Sequence, residues 1–414
     1  MKLNNILRRR DLWLAATGAL VLAVVLYMPV FVGIFFTSPD YLIYVQGIRE
    51  WEQTGILNVS QFVYPLLVIG VQRVLPFLSL EASAAWVTVI GYAVYLFVLF
   101  RLIMAAIAPE KVAPRIQLTV GVLTLLLIMA YPIVLPSFLR GNLAFGYTGI
   151  TYHNPPINLL KPLMLPLFLL AVYVLRNREI SRWQLLWLGA GGVVSLVMKP
   201  NYMLALLPTV GLLGLVRLVR GESVPIRHLV FGLAVPVMLL MALQYIIVFV
   251  MSLGVLDDLE SSIVFAPFAA LQANDITNAN ADEMLFIKLL CSVAFPLLVY
   301  GLYWPQSRRD YRFNAAWLFY VISLGYFYLL AETGPRLEHG NFLWNGEIGF
   351  IVLFSVAFLF FVARNRDVFL PAEHDEKLEL PWQAKILLPV LMLHVLSGVV
   401  WYYLHVTGEY RFWF

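Results

Sequence analysis

Apolar stretches of roughly twenty residues, parted by short polar loops, run through the whole of this chain. A helix of about twenty residues is about 30 Å long, the thickness of a bilayer's hydrocarbon core. Inside lipid every backbone N–H and C=O must be bonded within the chain, so helices are what such stretches become. Eleven segments read as spans: 12–36, 84–107, 116–135, 157–175, 183–198, 202–218, 229–251, 285–304, 315–330, 348–363 and 386–405. Segment 59–80 is apolar too, but it carries Pro65, Arg73 and Pro76. It reads as a pair of helices lying on one face of the membrane or dipping into it.

Composition agrees with this class. The chain is 61% hydrophobic and only 13% charged, about half the charge of an ordinary soluble domain. Its net charge of +4 does not indicate nucleic acid, because the basic residues fall in short loops between spans. The lone Cys291 sits in an apolar segment, so disulfides and thiolate metal sites are excluded as a framework. The first span is too long for a signal-peptide core and is expected to be retained. The fold class is therefore an all-α polytopic membrane protein of about eleven transmembrane helices. One transmembrane domain over 1–414 is expected, with interfacial helices at about 40–80.

Loop charges orient it. Most of the 28 Lys and Arg fall on one side when eleven spans are counted: the N-terminal cluster, then loops with Lys111 and Arg115; Arg176, Arg178 and Arg182; Arg217, Arg220 and Arg227; Arg308, Arg309 and Arg312; and Arg364, Arg366, Lys377 and Lys385. The positive-inside rule makes that side cytoplasmic. An inner or plasma membrane location follows, with the N-terminus inside and the C-terminus outside. The opposite loops, 38–59, 137–156, 253–283 and 332–345, are longer and richer in unusual residues, and loops on a rigid scaffold carry function. No P-loop or dinucleotide fingerprint occurs, and Gly189, Gly191 and Gly192 read as a helix-packing surface.

Four constellations on the outer side carry chemistry. Asp40 stands where the first span surfaces; it reads either as a partly desolvated base or as a cap of the following helix. His153 and Asn154 precede Pro155 and Pro156, the signature of an N-cap with prolines in the first turn. Asn154, Asn158 and Lys161 share one helical face, which suits an anion at a helix N-terminus; the alternative is a snorkelling lysine. Lys199 occupies a tight outer turn and Arg140 lies beside Gly141, two cations on the side where cations are scarce. The loop 332–345 brings Glu332, Arg336, Glu338, His339, Asn341, Phe342 and Trp344: a guanidinium fork for phosphate, a proton shuttle, aromatic faces for sugars and hydroxyl-binding groups. Its alternative is a solvated turn with Arg336 paired to Glu332 or Glu338. The acidic loop 253–283 has the oxygen ligands for a divalent cation, although solvated acidic loops are common. His228, His374, His394 and His405 read as interfacial, packed or solvated.

Together these features resemble the GT-C superfamily of membrane glycosyltransferases, in its bacterial mannosyltransferase-like branch. The points of resemblance are Asp40 after the first span, interfacial helices with Tyr64-Pro65, the Lys199-Pro200 turn, and a late outer loop with Arg336 and His339. Tyr41 follows Asp40, so the paired acidic residues of some branches are not present. The resemblance implies a polyprenyl-phosphate-linked sugar donor, a lipid or glycan acceptor, membrane lipids as surroundings, and no nucleic acid. It implies Asp40 as catalytic base and inversion at the anomeric carbon. The leaving phosphate would meet Arg336, His339, Lys199, Lys161 and Arg140, and no metal or other cofactor is required. Two other classes compete: a lipid-linked glycan polymerase or ligase, which typically has one large outer loop, and a lipid or sugar transporter or flippase, disfavoured because no span carries a charge at its midpoint.

Overall fold

The computed structural model describes residues 9–35, 39–55, 61–107, 113–134, 152–177, 179–246, 262–273, 285–337, 340–370 and 380–408. Arg140, Glu338 and His339, most of the acidic loop 253–283 and the stretch with His374 lie outside them. The described chain begins with α1 (Arg9–Phe35), α2 (Pro39–Thr54), α3 (Val63–Val74), α4 (Leu80–Ile107) and α5 (Pro114–Ile128). Next come α6 (Pro155–Arg176), α7 (Arg182–Met198), α8 (Asn201–Val219), and α9 (Ile226–Leu229) joined to α10 (Val235–Tyr245) by a π-helical turn. β1 (Ile263–Phe265), α11 (Ala269–Ala273), α12 (Leu285–Leu302), α13 (Trp304–Ser307) and α14 (Tyr311–Leu329) follow. β2 (Leu330–Glu332), two 3₁₀ turns (Gly334–Leu337 and Asn341–Leu343), α15 (Trp344–Arg364), α16 (Arg366–Phe369) and α17 (Trp382–Thr407) complete it.

The protein is all-α in its architecture, with many apolar helices, as a polytopic membrane protein should be. Among the described residues, seven helical units are long and apolar enough to cross a bilayer: α1, α4, α6, α8, α9–α10, α15 and α17. Their burial within the bundle differs widely, which separates inner from outer helices. The window on α15 is 89% buried and that on α9–α10 only 17%. α15 is thus the central helix, touching α4, α6, α8, α12 and α14. α9–α10 instead turns most of its surface outward, as a helix facing lipid can.

Among the described residues of segment 59–80 there is one helix where the sequence suggests a pair. α3 spans Val63–Val74 and is followed by a turn closed by Leu78 N–H to Leu75 C=O at 3.0 Å. Pro76 has no N–H to continue a helix there. Between α1 and α4 the described helices are α2 and α3, with a hydrogen bond between Tyr44 of α2 and Gln61 just before α3.

The segment expected to span from 116 to 135 is helical only through Ile128; residues Ala130–Val134 form neither helix nor strand. The change comes before Pro132, because the residue preceding a proline disfavours the helical region. Unpaired backbone at this depth is costly, and neighbouring helices satisfy it. Tyr131 N–H donates to the His394 carbonyl at 3.0 Å, Ile133 N–H to the Cys291 carbonyl at 3.0 Å, and Val134 N–H to Ser397 Oγ at 3.0 Å. The Cys291 carbonyl is thereby claimed by Ile133, and Phe295 N–H donates to His394 Nε2 at 3.3 Å instead. His394 Nδ1 meets the Tyr131 carbonyl at 2.6 Å. The histidine is therefore a backbone patch within α17, one of the packed histidines expected.

Two glycine contacts hold this arrangement together. In α7, a Cβ on Gly189 would lie 2.7 Å from the Gly232 carbonyl oxygen, so α7 and the π turn pack backbone to backbone, as the glycine run suggests. In α17, a Cβ on Gly398 would lie 1.7 Å from the Met129 carbonyl oxygen. No shift of a side chain relieves a contact with backbone. Gly398→Ala is therefore expected to displace the non-helical segment and to destabilise the protein by on the order of 3 kcal/mol or more. Thermal unfolding in detergent measures it; a midpoint equal to wild type would show that segment 129–134 does not run against α17.

Candidate functional site

One end of the bundle gathers the C-termini of α1, α7 and α14 and the N-termini of α2, α4, α6, α8 and α15. Its lowest layer is aromatic. The rings of Tyr27, Phe31, Tyr41, Tyr92 and Tyr152 pack with centroids from 4.1 Å (Tyr27–Tyr92) to 6.5 Å (Phe31–Tyr152). Edge and tilted contacts of this kind add rigidity beyond the area they bury.

A buried ion pair lies beside these rings. Lys161 Nζ is 3.4 Å from Glu347 Oε1, and the two side chains are 1% and 0% exposed. Lys161 also donates to Tyr92 Oη and to Asn158 Oδ1, each at 2.9 Å. Tyr92 O–H donates to the same Asn158 oxygen at 3.1 Å, and the Asn158 amide donates to the Tyr152 carbonyl at 2.7 Å. α4, α6, α15 and the turn before α6 thus meet in one network. The helical spacing of Asn158 and Lys161 is as the sequence indicates, but the lysine does not reach water. Snorkelling is excluded because its ammonium is enclosed and its charge is met by a carboxylate.

Asn154 caps α6: its Oδ1 accepts from Ile157 N–H at 3.2 Å. Its Nδ2 donates to Asp40 Oδ2 at 3.0 Å. Asp40 is the second residue of α2, in the helix's first turn, where a carboxylate is favoured by the helix dipole. Its side chain nonetheless points across to α6, so capping its own helix is not its sole role.

Lys199 closes the cluster from the turn between α7 and α8. It is 3% exposed, and its Nζ lies 5.5 Å from the Trp344 ring centroid, a cation–π contact. His153 packs on the same indole with centroids 5.4 Å apart. Among the described residues no acceptor lies within hydrogen-bond or ion-pair distance of this ammonium. Burial pushes the Lys199 pKa down to about 8, against the opposing pull of the Asp40, Glu332 and Glu347 charges. An ammonium kept in a desolvated site without an acceptor is an open position for an anion.

Two asparagines align the turn with α15. Asn201 Nδ2 donates to Asn345 Oδ1 at 2.6 Å and to the Asn341 carbonyl at 2.8 Å, and Asn345 Nδ2 donates to the Asn201 carbonyl at 3.0 Å. Asn341 Nδ2 donates to Glu332 Oε2 at 2.6 Å. Glu332 ends β2, which pairs antiparallel with β1. Arg336 follows in the first 3₁₀ turn, half-buried.

The structure thus brings together Asp40, His153, Asn154, Lys199, Glu332 and Trp344, with Lys161 beneath them. Arg140 and His339 lie outside the described residues. Sequence reasoning missed Glu347, one residue ahead of an expected span, and Tyr92 inside another. The signal was Lys161 itself: an ammonium two turns into an apolar helix requires a carboxylate partner, and Glu347 opens a neighbouring span. Among the described residues no three or more His, Cys, Asp or Glu side chains are grouped to hold a metal. Comparison with protein-family models, with curated proteins and with solved structures gives no match.

Glu347→Gln leaves the Lys161 charge enclosed without its counter-ion and is expected to destabilise the protein by about 3–5 kcal/mol. Lys161→Met combined with Glu347→Leu should recover most of that loss, since Tyr92 and Asn158 still satisfy one another. Denaturation of the single and double variants in the same detergent makes the comparison; equal losses in both would mean that packing, not charge, governs the site.

Proposed function

We propose that the protein is a membrane glycosyltransferase of the GT-C type, moving a sugar from a polyprenyl-phosphate donor to an acceptor hydroxyl with inversion. The observation that carries this reading is a carboxylate, Asp40, oriented by Asn154 and within electrostatic reach of Lys199, a buried ammonium with no acceptor among the described residues. A base and an anion position at one membrane-surface cluster are what such a transfer needs.

The reading gives each group a task. Asp40 takes the proton of the acceptor hydroxyl as its oxygen bonds to the anomeric carbon. The bond from that carbon to the phosphate oxygen breaks, and polyprenyl phosphate leaves with the electron pair. Lys199 stabilises the charge that develops on the phosphate, in a site where little water competes. Trp344, on which Lys199 lies, offers a face to sugar C–H groups, and Glu332 accepts from hydroxyls. Arg336 lies on the same late loop and supplies a second cation. Lys161 is the exception to the sequence reading: its charge is committed to Glu347, so we assign it to the scaffold rather than to the donor. Eleven crossings complete the reading, with α7, α12, α14 and the α5 segment added to the seven long helical units. The basic loops then face the cytoplasm and the site opens outward.

Asp40→Asn is expected to lower transfer by about 10² to 10⁴ while binding of a short-chain polyprenyl phosphate is retained. Turnover is followed with sugar-loaded polyprenyl phosphates and membrane acceptors; near-normal rates would remove Asp40 from the mechanism.

Lys199 yields a pH dependence. Its folded pKa, about 8, is below its ordinary value, so the cost of the enclosed charge is present below pH 8 and relieved between pH 8 and about 10.5. Phosphate attraction has the opposite trend, because the charge is lost as pH rises through 8. Binding of a short-chain polyprenyl phosphate should weaken from pH 7 to pH 9, and Lys199→Arg, which keeps its charge, should flatten that change. A wild-type affinity constant over this range would place the phosphate elsewhere.

A further inference from the structure

We infer that Asn154 is a positioning residue for Asp40, fixing one carboxylate oxygen so that the other is presented to the acceptor hydroxyl. The inference rests on the transferase reading and gives Asn154 a different part from the phosphate contact that its place at a helix N-terminus suggests.

The geometry divides the asparagine side chain between two jobs. Oδ1 is held by Ile157 N–H at 3.2 Å, as the cap of α6. That bond sets the plane of the amide, and Nδ2 then donates to Asp40 Oδ2 at 3.0 Å. Asn154 is 5% exposed, so water does not compete strongly for either atom. Both flanks are immobilised. Pro155 and Pro156 stiffen the first turn of α6. The carbonyl of Tyr152, two residues earlier, accepts from the Asn158 amide at 2.7 Å and from Tyr41 O–H at 3.5 Å. Tyr41 is the residue after Asp40, and its hydroxyl also reaches Thr88 Oγ1 on α4 at 3.3 Å. The start of α2 and the turn before α6 are therefore joined at a second point beside the Asp40–Asn154 contact.

Side-chain chemistry narrows the choice to asparagine. Good N-caps are Asn, Asp, Ser, Thr and Gly. Only Asn has an acceptor for the helix and a separate N–H donor for a neighbouring carboxylate. Aspartate caps but sets a second negative charge against Asp40. A hydroxyl has one oxygen for both tasks, and glycine has no side chain. The other polar groups near Asp40 do not replace it. Lys199 acts on the carboxylate electrostatically without touching it, and Tyr44 on the same helix bonds Gln61. Arg49 pairs with Glu81 on α4, and Arg73 of α3 lies over the Trp51 ring. Among the described residues Asp40 Oδ1 has no hydrogen-bond partner, and that is the oxygen left for the substrate.

The test uses the full chain in lipid nanodiscs, labelled with ¹³C at the aspartate carboxyls. The infrared carboxylate band lost in Asp40→Asn belongs to Asp40. Asn154→Ser keeps an N-cap, so its thermal stability should stay near wild type while that band shifts; Asn154→Asp keeps the cap but sets a like charge beside Asp40, so it should shift the band and lower stability as well. kcat should fall about ten- to hundredfold, with binding of a short-chain polyprenyl phosphate unchanged. An unmoved band overturns the inference and leaves Asn154 as a cap alone. Unchanged kcat with weakened phosphate binding also overturns it, making Asn154 a ligand of the donor. Should Asn154→Ser fail to fold, Asn154→Thr, also an uncharged N-cap, carries the same comparison. A shifted band in a protein that transfers no sugar from any polyprenyl phosphate leaves the Asn154–Asp40 contact in place and removes the transferase reading.

Discussion

The enclosed Lys161–Glu347 pair is the contact on which the arrangement of the site's end of the bundle depends. Two charges in an apolar bundle are tolerated only when each is the other's counter-ion and the remaining hydrogens find acceptors. Tyr92, Asn158 and the Tyr152 carbonyl meet that condition, and they belong to α4, α6 and the turn before it. Because the network is satisfied only in one alignment, it fixes the depth of α6 relative to α15. Asn154 is two turns above Lys161 on α6, and Trp344 is one turn before Glu347 on α15. The positions of Asp40's partner and of the indole under Lys199 are both set from this one point.

A second constraint is the backbone of 129–134. Non-helical chain next to α12 and α17 requires partners from those helices, and the His394 and Cys291 carbonyls and Ser397 Oγ supply them. Gly398 then removes the side chain that would collide. A histidine in a membrane helix is usually weighed first as a proton carrier. Here both ring nitrogens of His394 are engaged with backbone, and its service is to join α12, α17 and the segment after α5. The same helix carries His405 to the aromatic layer, where it meets Tyr152 edge-on with centroids 5.1 Å apart.

Much of this was legible in the sequence. Hydropathy gives the class because lipid admits few backbone solutions, and the places of α1, α4, α6, α8, α15 and α17 follow from it. Asn154-Pro155-Pro156 announces the start of α6 through cap chemistry that is local and needs no tertiary information. The glycines at 189–192 announce close packing, although not that the partner is the π turn. What could not be read is which polar residues meet. Glu332, Asn341, Asn345 and Asn201 are far apart in sequence, and no periodicity relates them. Pro132 was visible, but its effect, a non-helical segment stitched to two helices, depends on Cys291 and His394 more than 150 residues away. Lys161 was placed on the correct face, but its ion pair could not be read, because its partner Glu347 lies on another helix.

On the proposed reading, the charges of the cluster also bear on how a product would leave. Asp40, Glu332 and Glu347 act on Lys199, Lys161 is paired with Glu347, and Arg336 follows on the same loop as Glu332. Attraction for a phosphate is then local rather than general: it comes from the one ammonium with open hydrogens, and Glu347 has already neutralised the other. A donor phosphoester brings a single negative charge and can be held by Lys199 with help from Arg336. The free phosphate released after transfer approaches two charges at neutral pH, and the nearby carboxylates oppose that increase. Asp40 has by then taken up the acceptor's proton, so the opposition is complete only once that proton leaves for water. The carboxylates beside Lys199, which look at first like a poor setting for an anion, then help the anion go.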